Sequence, residues 1–432
     1  MRNIKITKKI WYTVKTGYGT VHAMGGFMDL RSKLEMYKSS QVNKIEKPIS
    51  SRLDIHEVLQ VTPCENEAGK YYVIEKRYPL FHNHGGYGLG QLFDINLKSM
   101  TCIFSGLDEE IPIKELVFLD TETTGLSGGV GTVAFLIGTG FFENDCFVMR
   151  QFFMRDYDEE LAVLQGLNSM LSQFKGLITF NGKAFDWNLL NTRFTYNRIR
   201  IDMKDPVHLD LLFPSRRIWK MKLESCRLTS LEENILGEYR QDDIPGALIP
   251  SIYFKYLEDR DATEIKQVIK HNELDILSMV ALMIKINSML ENPLSETDGD
   301  KELLSIGRIL EGNEQYEAMA DCYKNCIKSE NSFVKEAAAR RLATVFKRNK
   351  DYESAVRQWE QMLADTETLS AYPLIELAKY YEHKAKDMGK ALEMAEKAAQ
   401  LISKIGLNNR MHYADIKKRC DRLKRKAGKI DA

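Results

Sequence analysis

Apolar positions along this chain fall into two rhythms. Between residues 113 and 291, short apolar runs alternate with stretches at helical spacing. The runs Leu116–Leu119, Val133–Phe142 and Cys146–Phe153 have strand length. Glu143, Asn144 and Asp145, between the last two, predict a hairpin. Asp158, Glu159 and Glu160 predict a helix start, since carboxylates are favoured at the positive end of a helix dipole. Leu161, Leu164, Leu167 and Leu171 carry that helix forward. Leu177–Phe180 predicts a fourth strand, Asp186–Asn197 a helix, and Leu209–Leu212 a fifth strand or a helix start. The remainder to Leu290 has helical spacing. A meander of three strands, then alternating strands and helices, predicts an α/β domain on a mixed sheet.

Beyond residue 291 the rhythm changes. Asn292, Pro293, Ser295 and Gly299 break the pattern, so residues 292–300 read as a linker. Residues 301–432 then repeat. The stretch from Gln315 aligns with those from Asp351 and Asp387, each 36 residues further on. Ile306, Leu342 and Ala378 share one phase, as do Ile309, Val345 and Tyr381. Helix pairs of about 34 residues, with Tyr and Ala at packing positions, resemble tetratricopeptide repeats, which bury their apolar faces by stacking. An all-α domain is expected here, capped by a basic helix, Met411–Lys426. Residues 1–112 mix short apolar runs with Gly, His and Tyr and read as a small N-terminal extension, β-rich or irregular.

The strongest chemical signal lies at the end of the first apolar run. Asp120 and Glu122 are two residues apart, so a strand shows both on one face. Paired carboxylates suit hard divalent cations, although a solvated strand end can carry the same pair. Asn181, Gly182, Lys183 and Asp186 follow another apolar run, where Asp186 serves equally well as a helix N-cap. His271 and Asp275, at i and i+4, share one helical face, as polar pairs on a surface helix also do.

Taken together and in this order, the three pieces resemble the motifs of the DnaQ-like (DEDD) 3′–5′ exonuclease superfamily. Phe118–Gly129, Phe180–Asp186, His208–Leu212, Ile244–Pro250 and His271–Asp275 resemble, more closely, the YprB-like RNase H-fold proteins of bacilli. The likeness covers about residues 70–290 and implies an RNase H-like fold. It implies that Asp120, Glu122, Asp186 and Asp275 hold two Mg²⁺ or Mn²⁺ ions, and that His271 orients or deprotonates the attacking water. Such sites hydrolyse phosphodiester bonds with two ions roughly 4 Å apart. One interval departs from the pattern: three residues separate His271 from Asp275, whereas His-type members usually have four. The resemblance also implies DNA as substrate, a repair setting and a tetratricopeptide-like tail. Through that tail it implies a protein partner, for which a helicase is the family's suggestion. No residue excludes RNA, so an RNA-processing exonuclease on the same fold is the first alternative. A nuclease fold kept as an inactive binding scaffold is the alternative from another class, and the complete carboxylate set speaks against it.

Substrate contacts are expected from Thr121, Thr123 and Gly125 beside the carboxylates, and from Asn181 and Lys183. Arg216, Arg217 and Trp219 join cations to a ring, which suits a single strand of nucleic acid, or an exposed amphipathic helix. The cations between Lys417 and Lys426 present the same choice. His208 and Asp210 are expected in a supporting role. His82 and His84 lack a clear third ligand, so a metal there is disfavoured. Lys plus Arg and Asp plus Glu both total 61, so charge lends the nucleic-acid reading no support of its own. No run reaches the roughly 18 apolar residues of a membrane span. No signal peptide is legible, and seven scattered cysteines suit a reducing cytoplasm.

Overall fold

The computed structural model describes residues 10–16, 19–25, 53–104, 106–107, 110–125, 131–203, 206–365, 370–405 and 410–427. They belong to two units divided after Leu53. In the first, β1 (Ile10–Thr16) and β2 (Gly19–Gly25) pair as an antiparallel hairpin.

The second unit opens with α1 (Ile55–Val58), capped by Asp54, whose side chain accepts from the His56 N–H at 3.0 Å. Next come β3 (Thr62–Asn66), β4 (Gly69–Pro79), a small hairpin of β5 (Asn83–His84) and β6 (Tyr87–Gly88), and α2 (Leu97–Met100). β7 (Leu116–Thr123), β8 (Ala134–Glu143), β9 (Cys146–Phe153), α3 (Glu160–Leu171), β10 (Gly176–Thr179), α4 (Asp186–Tyr196) and β11 (Val207–Asp210) follow. The helices α5 (Leu212–Trp219), α6 (Leu228–Leu231), α7 (Ile249–Asp259) and α8 (Ile265–Glu291) complete this part.

Seven strands form one mixed sheet in the order β11-β10-β7-β8-β9-β4-β3. β10 runs parallel to β7 and β11, and the other pairs are antiparallel. The predicted hairpin turns at Asn144 and Asp145, with φ of 47° and 57°. Asn and Asp accept that left-handed pair, whose twist suits a two-residue hairpin. The expected boundary at residue 113 is corrected. β4 pairs with β9 from Tyr72 opposite Phe153 to Pro79 opposite Cys146, so residues 62–79 belong to the sheet. Left open, β9 would present a row of unpaired backbone groups.

The sheet has two cores. Val117, Leu119 and Phe135 meet Leu164, Leu190 and Tyr253 on one side. Phe118, Phe147 and Met149 meet α5 and the far part of α8 on the other. α8 serves both: Ile265, Val268 and Ile269 join the first core, and Ile276 to Leu290 the second. Each buried large apolar side chain contributes about 1.5–3 kcal/mol. The polar stretch with His271, Asn272 and Asp275 is therefore clamped on both sides. β8 turns Gly138 toward this stretch, where an added Cβ would lie 2.0 Å from Asn272 Oδ1. Only glycine admits the helix that close.

The tail contains α9 (Pro293–Glu296), α10 (Asp300–Gly312), α11 (Tyr316–Cys326), α12 (Ser332–Arg348), α13 (Tyr352–Ala364), α14 (Tyr372–Tyr380), α15 (Met388–Ile405) and α16 (Arg410–Ala427). Helix starts at Tyr316, Tyr352 and Met388 preserve the spacing of 36. Just before each lies one left-handed residue: Glu314, Lys350 and Lys386, with φ of 59°, 63° and 58°. The linker expectation is corrected. Residues 293–296 are helical, and Lys285 Nζ donates to the Glu296 carbonyl at 2.9 Å. The second core continues from the sheet through Leu304, Ile306, Tyr323 and Leu342, because the first repeat helix needs an apolar cover. On α16, Arg419, Arg422 and Lys426 all turn inward to the buried carboxylate of Glu382, and Lys424 pairs with Glu396 at 2.9 Å. Those four cations are occupied by structural ion pairs.

Candidate active site and metal centre

Three segments meet at the C-terminal ends of β7 and β10. β7 contributes Asp120 and Glu122. Its register against β8 shifts between Glu122 and Thr123, an irregularity that re-aims side chains at a strand end. α8 contributes His271 and Asp275, which its i, i+4 spacing sets on one face. Ligand atoms of Glu122, His271 and Asp275 lie within 4.8 Å of one another. His271 Nε2 is 4.0 Å from Glu122 Oε1 and 3.5 Å from Asp275 Oδ2.

Asp186 opens α4. Its Oδ1 accepts from Thr121 Oγ1 at 2.6 Å and from the Thr121 N–H at 3.2 Å. The Thr121 hydroxyl thus positions a carboxylate. Asp120 Oδ2 accepts from Asn272 Nδ2 at 2.8 Å, and Asn272 Oδ1 accepts from Gln151 Nε2 at 2.8 Å. Burial raises the carboxyls of Asp120 and Glu122 well above the usual range, and Asp275 and Asp186 raise them further. Burial also lifts Asp186 to about 6, against the pull of its Thr121 bonds. Glu122 and Asp275 with one imidazole, and Asp120 and Asp186 beside them, make an oxygen-rich donor set. Mutual repulsion within it is relieved by a hard divalent cation, so the residues fit such an ion.

Sequence reasoning missed a second layer. Arg240 is partly buried and reaches Asp275 through Nη2, Glu232 Oε2 through Nε at 2.7 Å, and Asp243 Oδ2 through Nη1 at 3.2 Å. Burial opposes its charge, but Asp275 and Glu232 outweigh that and keep it protonated. Asp243 Oδ1 lies 2.8 Å from His271 Nδ1. Burial opposes ionisation of Asp243, yet His271 and Arg240 hold its carboxyl below the usual range. A carboxylate only accepts, so Nδ1 carries a ring proton, while Nε2 faces Glu122 and Asp275. The available signal was position: Asp243 adjoins the Ile244–Pro250 motif, and Asn272 stands inside His271–Asp275.

Asp210 is buried and gathers three backbone donors: Asn181 N at 2.7 Å, Lys183 N at 3.1 Å and Leu212 N at 3.1 Å. They hold the left-handed turn at Asn181, φ 67°, which leads into Asp186. His208 Nε2 lies 2.8 Å from Thr179 Oγ1, and burial, helped by Lys183, lowers its pKa to about 4. Thr123 Oγ1 donates to the Gly125 carbonyl at 2.8 Å, and Lys183, Arg216 and Arg217 are exposed. Trp219 requires correction. It is fully buried, with Nε1 donating to Glu302 Oε1 at 2.8 Å, so it stacks on no substrate. α5 needs an apolar side to pack, and Leu212, Ile218 and Trp219 form it. His84 is buried as well, with Nε2 2.7 Å from Ser278 Oγ.

A sequence model described as the RNase H superfamily matches residues 117–287. The uncharacterized protein YprB of Bacillus subtilis (strain 168) is 34% identical over 364 residues, covering 82% of this chain and 85% of its own. The superfamily match encloses Asp120, Glu122, Asp186, His271 and Asp275. Among the described residues, no helix is long and apolar enough to cross a membrane.

Proposed function

We propose, for a chain that belongs to the RNase H superfamily and within it to the family of YprB, a metal-dependent 3′–5′ exonuclease that degrades DNA in a repair setting. Superfamily membership supports a nuclease in general. The finer reading rests on one observation: Glu122 of β7 and Asp275 of α8 close around the His271 imidazole, with Asp186 of α4 near enough to raise the carboxyls of Asp120 and Glu122, in DnaQ-like order. Asp120, Glu122, Asp186 and Asp275 would hold two Mg²⁺ or Mn²⁺ ions, which supply charge to an anionic transition state and acidify water.

The chain's own residues do the rest. Thr121 and Asn272 fix the rotation of Asp186 and Asp120. Asp243 fixes the His271 ring, and Nε2 takes a proton from the water that attacks phosphorus. The P–O3′ bond breaks, its electron pair stays on the 3′ oxygen, and that oxygen takes up a proton. A nucleoside 5′-monophosphate leaves. The tail's helix pairs support a tetratricopeptide-like stack with a surface for a protein partner. A helicase is the partner that the repair setting suggests.

The test compares wild type with Asp120→Ala and Asp186→Ala on 3′-labelled and 5′-labelled DNA and RNA with Mn²⁺. Wild type is expected to release labelled mononucleotide from 3′-labelled DNA first. Both variants are expected to lose that release while keeping their far-UV circular dichroism. Preferential decay of RNA would overturn the DNA assignment, and inert wild type would overturn the nuclease.

A further inference from the structure

The turn that leads into Asp186 has a second side. Phe180 and Asn181 form one wall of a cavity of about 660 Å³, whose other walls are α5 and the segment entering α6. Arg216, Lys220 and Arg227 face it with three cations against one carboxylate, Glu224. All three cations are exposed. Unlike Lys222 nearby, which pairs with Glu302 at 2.9 Å, none of them has an ion-pair partner among the described residues. Leu223 and Leu228 add apolar surface. The presenting helix is held firmly, since Trp219 is buried and bonded to Glu302. Its charged side is therefore preorganised, and the cavity borders the turn that Asp210 ties down and that leads into Asp186.

We propose that this cavity receives the terminal segment of a single nucleic-acid strand. Phosphates meet Arg216, Lys220 and Arg227, and an unpaired base lies against Phe180 and Leu223. Unpaired bases expose the apolar faces that such walls require, whereas a duplex stacks them inside. The cavity falls within the roughly 300–1,000 Å³ of small-ligand sites, room for a nucleotide or two. The direction of threading, 3′ end toward the carboxylates, rests on the nuclease reading. The binding itself does not.

The experiment measures fluorescence anisotropy of a 5′-fluorescein oligothymidylate with the full chain in EDTA, from low to moderate salt. Wild type, Asp186→Ala, Lys220→Ala and the double variant R216A/R227A are compared, with thymidine monophosphate as competitor. R216A/R227A is expected to bind at least about tenfold more weakly, with the slope of log K against log salt reduced by about 0.7 per cation removed. Lys220→Ala is expected to lose about half of that slope change. Unaltered affinity and slope in R216A/R227A would overturn the cavity, as would equal weakening on a blunt duplex. Competition by the mononucleotide that disappears in R216A/R227A while strand affinity holds would assign a product site and overturn the strand. If these variants bind normally and wild type still degrades DNA, the cavity falls and the nuclease stands. If they bind weakly and wild type degrades nothing, the cavity stands and the nuclease falls.

Discussion

Asn272 donates its side-chain amide to Asp120 Oδ2 at 2.8 Å, with its own Oδ1 taken by Gln151 at 2.8 Å. One line of hydrogen bonds therefore runs from β9 through α8 to a carboxylate of the cluster. Gln151 also donates to the Ile269 carbonyl at 2.8 Å, so the line is anchored to the α8 backbone. Asn272→Ala leaves Asp120 free to rotate and deprives Gln151 of one acceptor. We expect a loss of about 1–3 kcal/mol in urea unfolding. Nuclease activity should fall by about 10- to 100-fold, as for lost support of a ligand elsewhere. Wild-type activity in a folded Asn272→Ala protein would show that the line does not position Asp120.

Gly138 carries the same geometry from the other side. A methyl group there would collide with Asn272 Oδ1 and lie 2.8 Å from Ile276 Cδ1. Gly138→Ala should therefore lift α8 off β8 and cost about 1–3 kcal/mol by overpacking. The melting temperature should drop, and activity should fall further than stability alone explains, because His271 and Asp275 ride on that helix. Gly131→Ala, where nothing lies within 4 Å of the added Cβ, is the control for a benign glycine replacement.

Stability without metal should depend on pH through the cluster. The Asp186 carboxyl titrates near 6 when folded, because burial disfavours its charge. Unfolded, an Asp titrates at about 3.9. The folded state thus binds the extra proton, and its stability contribution is full below the unfolded value and lost as pH rises toward 6. Asp186→Asn removes this liability. In EDTA at pH 8 the variant should be more stable than wild type by about 1–3 kcal/mol, an advantage that vanishes near pH 4. Urea titrations at the two pH values decide it; a variant less stable at pH 8 would contradict the burial account. Activity should be absent from the variant throughout.

Lys350 holds φ at 63° between α12 and α13. A side chain in that region costs about 1–2 kcal/mol, which glycine avoids while losing some of it again to chain entropy. Lys350→Gly should raise stability by roughly 0.5–1 kcal/mol. Chemical denaturation of the full chain measures it, and a destabilised variant would mean that the Lys350 side chain contributes a contact of its own.

Much of this molecule is written in short-range spacing. A strand repeats every two residues and a helix about every 3.6, so the run before Asp120, the shared face of His271 and Asp275, and the phase of the repeats are all local facts. Pairing partners are not local. The alternation in Gly69–Pro79 does not say that β9 will take it as a neighbour, and nothing near Asn272 names Gln151 or Asp120. Arg240 and Asp243 look like ordinary loop charges until α8 brings Asp275 and His271 to them. α5 shows the limit most clearly. Its sequence holds cations on one side and a tryptophan on the other, and either side could face water. The choice was made by α10, which covers the apolar side and supplies Glu302 to the indole N–H. Burial is a property of two surfaces in contact, and a local pattern describes only one of them.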